Sequence, residues 1–370
     1  MKVIIEARAL AAKGGGIKTY TYELIRNLLA THENQNFQLV YPNIETPPFD
    51  SIHAKTIPMA SELLVPYWLS GPVASYVRTQ HPSVVHYTKA AIPLVKIAPT
   101  VVTIYDIIPI LLPETQSISR RMYWSWALKH AAVHADHIIT ISHQSKIDIM
   151  NYFGIPEEKI TVTPLAINSE HFYPREKKHQ EVPYILFVGT KDQRKNVSSL
   201  IYAFARIAKD IPHKLLIVGR PAKKQDSSQV LAKQMGLENR IEFREDVSYE
   251  ELPEIYSQAD LFVWPSVYEG WGFPPQEAMA CGTPVIVSNG APLPEVVGDA
   301  GRIVPFSAGD IQSRMSDEAF IERLADQMQQ VLADDILRKD MIAKGIEQAK
   351  KFSWQKVAED TWNVYKRIAT

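Results

Sequence analysis

A short stretch of the chain, YEGWGFPPQEAMACGTPVIVS (residues 268–288), contains two glutamates eight positions apart. Between Glu269 and Glu277 lie two glycines, which allow close approach of the backbone to a ligand, and two prolines, which favour the first turn of a helix. We expect Glu277 in that first turn and Glu269 on the loop before it, both facing one pocket. Because carboxylates are strong acceptors for vicinal hydroxyls, the pattern predicts a site for a sugar or a ribose.

A simpler explanation exists for Glu277 alone, because a carboxylate in the first turn of a helix favours the positive end of the helix dipole. That explanation does not account for the glycines, the prolines and the second glutamate together. Free backbone amides near Gly272 and Phe273 would add hydrogen-bond donors to the same pocket. The complete arrangement therefore favours a binding site.

Two adjacent cations, Arg194 and Lys195, lie in FVGTKDQRKNV (residues 187–197), between a predicted strand and a predicted helix. Cations at the N-terminus of a helix oppose its dipole, which is unfavourable unless an anion binds there. Helix amides and two cations together predict a phosphate site that needs no metal. A solvated charge pair is the alternative.

A carboxylate also follows an apolar strand in TIYDIIP (residues 103–109), where Tyr105 and Asp106 stand at the strand's carboxyl end. Ligands of parallel α/β sheets bind beyond the carboxyl ends of strands, so this is a site position. The alternative is an aspartate that caps the next turn.

Three glycines, Gly14, Gly15 and Gly16, lie between the first predicted strand and the first predicted helix. They could let backbone amides approach an anion, or form a flexible connector. They follow the strand by about eight residues, whereas a dinucleotide-binding fingerprint needs an immediate turn, so we reject a dinucleotide site.

The elements that must position these residues are short β-branched runs that alternate with amphipathic helices, a pattern typical of a parallel sheet covered by helices on both faces. The charged segment FYPREKKHQEVP (residues 172–183) interrupts the pattern, which then restarts. The sequence predicts an α/β fold with two doubly wound Rossmann-like domains, residues 1–171 and 184–351, joined by the linker 172–183 and followed by a terminal helix in residues 352–370. We expect a ligand site in the cleft between the domains.

Composition excludes several classes of protein. The formal net charge is -1, and no dense basic stripe suggests nucleic-acid binding. The single cysteine, Cys281, cannot form an internal disulfide. No run of about eighteen apolar residues predicts a membrane-spanning helix, and no leader peptide is evident, so we expect a cytoplasmic protein. Without an Asp-x-Asp motif or a His/carboxylate cluster, we expect no metal and no other cofactor.

The motif EGWGFPPQEAMACGTPVIVSN resembles the signature of family-four retaining glycosyltransferases, which have the GT-B architecture. Supporting stretches occur in the same order along nearly the whole chain: GGGIKTYTYEL, VVTIYDIIPIL, HADHIITISHQSK, KITVTPLAIN, VGTKDQRKNVSSLIYAF, EELPEIYSQADLFVWPS and LPEVVGDAG. The resemblance implies an N-terminal domain that binds the acceptor, a C-terminal domain that binds a nucleotide-sugar, and a last helix that crosses back to the N-terminal domain.

The resemblance also implies roles for individual residues. Glu277 would bind the ribose, Glu269 the donor sugar, and Lys195 the diphosphate, with Arg194 as a second cation. The predicted donor-binding set is Gly15, Gly16, Gly189, Thr190, Arg194, Lys195, Val247, Glu269, Gly270, Trp271, Gly272, Phe273 and Glu277. Tyr105 and Asp106 would contact the donor sugar or the acceptor, and the catalytic set is Glu269, Lys195, Arg194 and Asp106.

Two positions depart from the common family pattern. Thr190 stands where many relatives have arginine, and Tyr105 stands where many have a histidine that contacts the sugar. A phenol can donate a hydrogen bond but does not exchange a proton near neutral pH, so we do not assign Tyr105 as a base.

The cations would stabilise the departing nucleoside diphosphate electrostatically. No pair of carboxylates forms a nucleophile with an acid/base, so we expect retention by same-face attack, with a covalent intermediate on Glu269 or Asp106 as the alternative. We also expect closure over the diphosphate to exclude water.

By analogy with such relatives, we expect GDP-mannose as the donor, with UDP-glucose or UDP-N-acetylglucosamine as the next choices. The expected acceptor is a glycan or lipid-linked glycan of a bacterial surface polysaccharide. The alternatives are a nucleotide-sugar epimerase of the same fold, a phosphorylase, a non-catalytic sugar-nucleotide-binding protein and a dehydrogenase.

One further segment, SRRMYWSWALKH (residues 119–130), mixes cations with aromatic residues. It predicts a peripheral membrane-facing or acceptor-facing surface, or an ordinary helix with its tryptophans in the core and its cations in solvent.

Overall fold

The computed structural model describes residues 1–12, 15–33, 36–42, 49, 53–61, 64–113, 118–178, 181–221, 227–307 and 309–369. The chain folds into two compact units. The N-terminal unit comprises Met1–Leu165 and Ser353–Thr370, and the C-terminal unit comprises Ala166–Phe352.

The N-terminal unit alternates strands with helices. Its strands are β1 (Val3–Glu6), β2 (Phe37–Tyr41), β3 (His53–Thr56), β4 (Val84–Tyr87), β5 (Thr100–Thr103), β6 (His137–Thr140) and β7 (Ile160–Val162). Its helices up to β7 are α1 (Gly16–Thr31), α2 (Val65–Trp68), α3 (Ala74–Gln80), α4 (Ile108–Leu111), α5 (Ile118–His134) and α6 (His143–Phe153), with a π-helical turn (Leu69–Val73) between α2 and α3.

All neighbouring strands of this sheet are parallel, in the order β3-β2-β1-β4-β5-β6-β7. The central strands β1, β4, β5 and β6 are buried along their length, as expected for a sheet that is covered on both faces. The strand order reverses between β1 and β4, so the carboxyl ends of these two strands form the switch point of the sheet.

The C-terminal unit repeats the same plan. Its strands are β8 (Tyr184–Val188), β9 (Lys214–Val218), β10 (Ile241–Arg244), β11 (Leu261–Trp264), β12 (Val285–Ser288) and β13 (Arg302–Val304). Its helices are α7 (Val197–Ile207), α8 (Ser227–Gln234), α9 (Leu252–Gln258), α10 (Phe273–Ala280), α11 (Leu293–Val297), α12 (Glu318–Ala333) and α13 (Asp335–Lys350).

Its strands are also all parallel, in the order β10-β9-β8-β11-β12-β13, so the strand order reverses between β8 and β11.

Helix α7 shows how the helices are held against this sheet. Val197, Leu200, Ile201, Phe204 and Ile207 recur at helical spacing and are buried. The predicted α/β class with two doubly wound sheets is confirmed.

The last helix, α14 (Trp354–Ala369), packs in the N-terminal unit. Trp354, Val357, Thr361 and Tyr365 form its buried face, and the Tyr365 hydroxyl lies 2.6 Å from Nδ1 of the fully buried His86. The expected return of the chain's last helix to the N-terminal unit is thus confirmed, with the helix beginning at Trp354.

Residues 172–183, predicted as a linker, fall within the C-terminal unit. The Arg175 amide donates to Ser257 Oγ (3.0 Å), and the Lys178 amide donates to Gln258 Oε1 (2.8 Å). The described part of this segment is therefore tied to α9 by its backbone. The C-terminal unit begins at Ala166, before the predicted linker.

Candidate active site

The switch point of the C-terminal sheet brings two loops together. One loop follows β8 and the other follows β11, and these strands are neighbours through the pairs Ile185–Leu261 and Leu186–Phe262. The Val267 amide donates to the Arg194 carbonyl (3.0 Å), and Ser266 Oγ donates to the same oxygen (3.1 Å). The predicted cation loop and the predicted glutamate loop are thus fastened to each other at the ligand-binding edge of the sheet.

The side chains at this junction form a buried charge cluster, here called the Glu269 cluster: Glu269, Arg194 and Lys195. Glu269 Oε2 accepts from Arg194 Nη1 at 2.5 Å, and Oε1 accepts from Lys195 Nζ at 2.6 Å. Arg194 Nη1 also donates to the Tyr268 carbonyl (2.7 Å). Glu269 is only 6% exposed, so the cluster is shielded from bulk water.

Charge pairing decides the ionisation of Glu269. Burial opposes ionisation, but Arg194 and Lys195 outweigh it and hold the pKa of Glu269 at about 2. Burial lowers the pKa of Lys195, while Glu269 acts in the opposite direction. Two cations share one buried carboxylate, and the partly exposed Asp192 lies 3.8 Å from Arg194 Nη2. The cluster is therefore suited to bind an anion.

The two cations do not lie inside the first turn of α7. They belong to a 3₁₀ turn (Gln193–Lys195) that ends at Asn196, whose left-handed backbone (φ 55°) separates it from Val197, where the α-helix begins. The cations thus lie between β8 and α7, as predicted, and a separate turn holds them before the helix begins. Thr190, earlier in this loop, donates its hydroxyl to Asp192 Oδ2 (3.0 Å).

The indole of Trp264 packs against Lys195 of the Glu269 cluster. Lys195 Nζ lies 4.5 Å from the centroid of the indole, within cation–π range. The indole also touches Gly189 closely, since a Cβ on this glycine would lie 2.6 Å from Trp264 Cη2. Gly189 is therefore required for packing, beyond any role in binding.

Replacing Gly189 by alanine is expected to lower the free energy of unfolding by about 1–3 kcal/mol, because the added methyl group must displace Trp264. Chemical denaturation measures this change. Gly309→Ala is the matched control, since a Cβ there meets no atom within 4 Å. Equal stability of the two variants would show that the contact at Gly189 has no cost.

Glu277 engages a different partner from Glu269. It lies on α10 as the fifth residue, so it is in the second turn and not in the predicted first turn, which Pro274 and Pro275 occupy. The buried Tyr256 on α9 donates its hydroxyl to Glu277 Oε2 at 2.7 Å. Burial raises the pKa of Glu277 to about 7, although the hydrogen bond from Tyr256 acts in the opposite direction.

The segment between the two glutamates is packed into the C-terminal unit. Trp271 is 4% exposed, donates Nε1–H to Gln276 Oε1 (3.2 Å) and meets the ring of Phe352 edge-on. Gly270 is buried, and a Cβ on Gly272 would lie 3.1 Å from Leu293 Cδ2. Side chains here form core, so the predicted donor contacts of residues 270–273 concern the backbone.

Beyond β10, two carboxylates already have cationic partners. Asp246 pairs with Arg220 (2.8 Å), and Glu245 Oε1 lies 3.6 Å from Lys191 Nζ, whose side chain is almost fully buried. Val247, predicted beside the base, follows them and is half-buried.

Two predicted residues of the N-terminal unit, Tyr105 and Asp106, lie after β5. The Tyr105 hydroxyl donates to the Thr88 carbonyl (2.6 Å), and burial raises the pKa of Tyr105 well above its ordinary value. Asp106 Oδ1 accepts from the Ile108 amide (3.0 Å), which is the turn-capping role weighed above. Tyr105 therefore cannot act as a base near neutral pH.

The glycine loop is described only in part, because Gly14 lies outside the described residues. Gly15 precedes α1 with φ 106°, a backbone conformation that favours glycine, and Gly16 is the first residue of the helix. The approach of these residues to a ligand stays a prediction.

Sequence reasoning missed a buried ion pair at the switch point of the N-terminal sheet. Glu6, at the end of β1, pairs with Arg8 and accepts from the Arg8 amide (2.8 Å), while Arg8 Nη2 donates to the Lys89 carbonyl (3.0 Å). A charged residue at the end of an apolar strand, as in VIIEAR, is the signal that could have identified it.

Two further features bear on the site. Among the described ranges, no group of three or more His, Cys, Asp or Glu side chains is arranged to hold a metal ion. No helix in the part of the chain that the structure describes is both long enough and apolar enough to cross a membrane.

Comparison with known proteins places this fold in a class. Sucrose-phosphate synthase from Thermosynechococcus elongatus superposes with a TM-score of 0.75 at 21% identity, over 100% of this chain and 99% of that one. The two parallel-sheet units are those of the GT-B architecture.

Family models then define the family. The model described as Glycosyltransferase Family 4 matches residues 14–171, and the model described as Glycosyl transferases group 1 matches residues 168–348. The chain is 29% identical to the O-antigen chain mannosyltransferase B of Escherichia coli over 100% of both chains, and 30% identical to the O-antigen chain mannosyltransferase RfbU of Salmonella typhimurium over 70% of each. The chain belongs to the glycosyltransferase family that these two models describe.

Proposed function

We propose that this glycosyltransferase moves a hexose, with mannose from GDP-mannose as our first choice, onto a glycan or lipid-linked glycan of a bacterial surface polysaccharide. The observation that carries the proposal is the Glu269 cluster at the switch point of the C-terminal sheet. The choice of mannose rests on the similar O-antigen mannosyltransferases of Escherichia coli and Salmonella typhimurium.

The reaction's difficult event is departure of the nucleoside diphosphate, which gathers negative charge on the phosphate oxygen that leaves. Arg194 and Lys195 are largely buried and held in position by Glu269, so they need little reorganisation to meet that charge. A diphosphate would compete with Glu269 for both cations and would leave the carboxylate free to accept from a sugar hydroxyl.

We expect retention, as the family resemblance implies, by same-face attack rather than through a covalent intermediate on the protein. With the donor bound, the Glu269 carboxylate would be engaged by a sugar hydroxyl, and Asp106 caps a turn, so neither carboxylate is placed as a nucleophile. The acceptor hydroxyl would attack from the face that the diphosphate leaves, and its proton would pass to the departing phosphate oxygen. Because two fixed cations stabilise the leaving group, the reaction would need no metal.

Product analysis with a panel of donors tests this proposal. The protein is mixed with GDP-mannose, UDP-glucose or UDP-N-acetylglucosamine, with and without glycan acceptors and with EDTA, and the anomeric configuration of the product is read by NMR. We expect acceptor-dependent transfer with retention and no effect of EDTA. Acceptor-independent release of an epimer would contradict the proposal and identify an epimerase.

The hydrogen bond from Tyr256 should prepare Glu277 to bind the ribose. Tyr256→Phe removes this bond with little change in volume, so affinity for GDP should fall about 3–10-fold, the effect of one ordinary hydrogen bond. Isothermal titration calorimetry measures the change, and Tyr202→Phe, at a 40% exposed tyrosine on α7, is the control.

The pH dependence of the same titration tests the role of the Glu277 carboxylate. The pKa of Glu277 is about 7, so affinity for GDP should fall as the pH drops below 7 and the carboxylate gains a proton. Tyr256→Phe removes an interaction that lowers this pKa, and the midpoint should move to higher pH. An unchanged midpoint and an unchanged preference for GDP over 2′-deoxy-GDP would show that Tyr256 has no positioning role.

A further inference from the structure

Charge is distributed unevenly along the chain. Residues 62–136 contain six basic residues (Arg78, Lys89, Lys96, Arg120, Arg121 and Lys129) and four acidic ones (Glu62, Asp106, Glu114 and Asp136), of which Asp136 pairs with Lys96 (2.5 Å). The chain as a whole has a formal net charge of -1, so this part of the N-terminal unit has a positive net charge and the rest of the chain has a negative one. Such an asymmetry favours contact with an anionic surface.

Helix α5 lies in this segment and is apolar on two sides. Its inner side, with Leu128, Ala131 and Ala132, belongs to the core of the N-terminal unit. Its outer side exposes Ile118 (78%), Met122 (68%) and Trp126 (46%), which are spaced four residues apart and therefore form one row. The exposure of Trp126 contradicts the ordinary-helix interpretation for that residue, since a core tryptophan would be buried.

Cations lie beside this apolar row. Arg121 and Lys129 are exposed and follow Ile118 and Trp126 by three residues, which places them on the same side of the helix. The 17 residues of α5 include no aspartate or glutamate. The outer side of α5 thus combines large apolar side chains with positive charge only.

A neighbouring loop extends the apolar surface. His130 Nε2 lies 3.1 Å from the Pro93 carbonyl, and its ring stacks on Trp126 (interplanar angle 10°). Next to Pro93, Leu94 and Val95 are 54% and 65% exposed. The Leu94 amide donates to Ser70 Oγ (3.0 Å), one turn beyond Tyr67, which is 73% exposed.

We propose that the outer side of α5, together with the Leu94–Val95 loop and Tyr67, is a docking surface for an anionic lipid membrane. Large apolar side chains would enter the boundary between headgroups and acyl chains, while Arg121 and Lys129 would contact anionic headgroups. A protein partner or a second copy would also cover apolar area. The one-sided charge and the aromatic residues among the cations fit a lipid interface better.

Sedimentation with vesicles tests the proposal on the full chain. At low salt, the protein should bind vesicles with 30% phosphatidylglycerol at least about tenfold more tightly than pure phosphatidylcholine vesicles, and added salt should weaken this binding. The double variant Arg121→Glu/Lys129→Glu should lose most of the preference for anionic lipid. Met122→Ser/Trp126→Ser should weaken binding to anionic vesicles without abolishing the salt dependence.

The control variant carries Ile336→Ser and Lys339→Glu, an exposed apolar residue and an exposed lysine on α13 of the C-terminal unit. It should bind vesicles as the wild type does. Chemical denaturation verifies that each variant is folded, and GDP titration tests the donor site separately, so a failure here is distinguishable from a failure of the proposed function. Equal binding to both vesicle types, or undiminished binding of the α5 variants, would overturn the proposal. The proposal would also be overturned if the protein formed a dimer that did not bind vesicles and that the substitutions Met122→Ser/Trp126→Ser dissociated.

Discussion

Replacing Lys195 by methionine should lower kcat by about 10²–10³-fold, the effect of removing one group that stabilises developing charge. Lys195 lies in a buried site, between Glu269 Oε1 at 2.6 Å and the face of Trp264. Its ammonium group is held there before the diphosphate departs, so its interaction with the leaving group strengthens as charge develops. Initial rates with saturating donor measure the loss.

The control for this substitution is Lys209→Met, at an exposed lysine after α7, which should keep full activity. Glu269 keeps Arg194 as a partner in Lys195→Met, so we expect a folded protein. A drop in kcat of less than about threefold would mean that Lys195 does not stabilise the leaving group. Loss of affinity for GDP with unchanged kcat would assign Lys195 to ground-state binding only.

Replacing Glu269 by alanine should lower the free energy of unfolding by about 3–5 kcal/mol, the range found when one partner of a buried ion pair is removed. The substitution leaves Arg194 and Lys195 buried side by side without their shared carboxylate. Chemical denaturation measures the change. In the control Glu254→Ala, the lost ion pair with Lys178 is exposed, and the expected change is below about 1 kcal/mol.

The pH dependence of stability provides an independent measure of the same cluster. The folded-state pKa of Glu269 is about 2, below its ordinary value of 4.5, so its contribution is complete above pH 4.5 and is lost as the pH falls towards 2. The difference in stability between the wild type and Glu269→Gln should therefore shrink over this interval. A difference that stays constant from pH 5 to 2 would show that Glu269 is not strongly paired.

Glycine, proline and charge patterns were sufficient to locate Arg194, Lys195 and Glu269, but not to show that they pair. Glu269 stands 74 and 75 positions from the two cations along the chain. Their meeting depends on β8 and β11 being neighbours, which follows from strand order. For the same reason, sequence alone did not show that Tyr256, on a separate helix, would donate to Glu277.

Two of the four edge strands, β3 and β13, were missed, whereas the edge strands β7 and β10 were located from KITVTP and RIEF. The edge strand β3 reads HAKT, and the edge strand β13 reads RIV, so neither shows the continuous apolar run of the central strands. An edge strand has one neighbour in its sheet, and its sequence is therefore less constrained. The buried central strands, such as VVTIYD and YILFVG, were located because burial on both faces demands apolar residues along the whole strand.

Donor binding by the C-terminal unit is the central claim, and thermal stability measured with added nucleotides tests it most directly. The wild type, Lys195→Met and Glu277→Ala are each titrated with GDP-mannose, UDP-glucose, UDP-N-acetylglucosamine and NAD. A ligand at 100 times its Kd should stabilise the folded protein by about 3 kcal/mol. We predict that one nucleotide-sugar, GDP-mannose first, stabilises the wild type and that both variants lose this effect. Stabilisation by NAD alone, or by no nucleotide-sugar at millimolar concentration, would contradict the account.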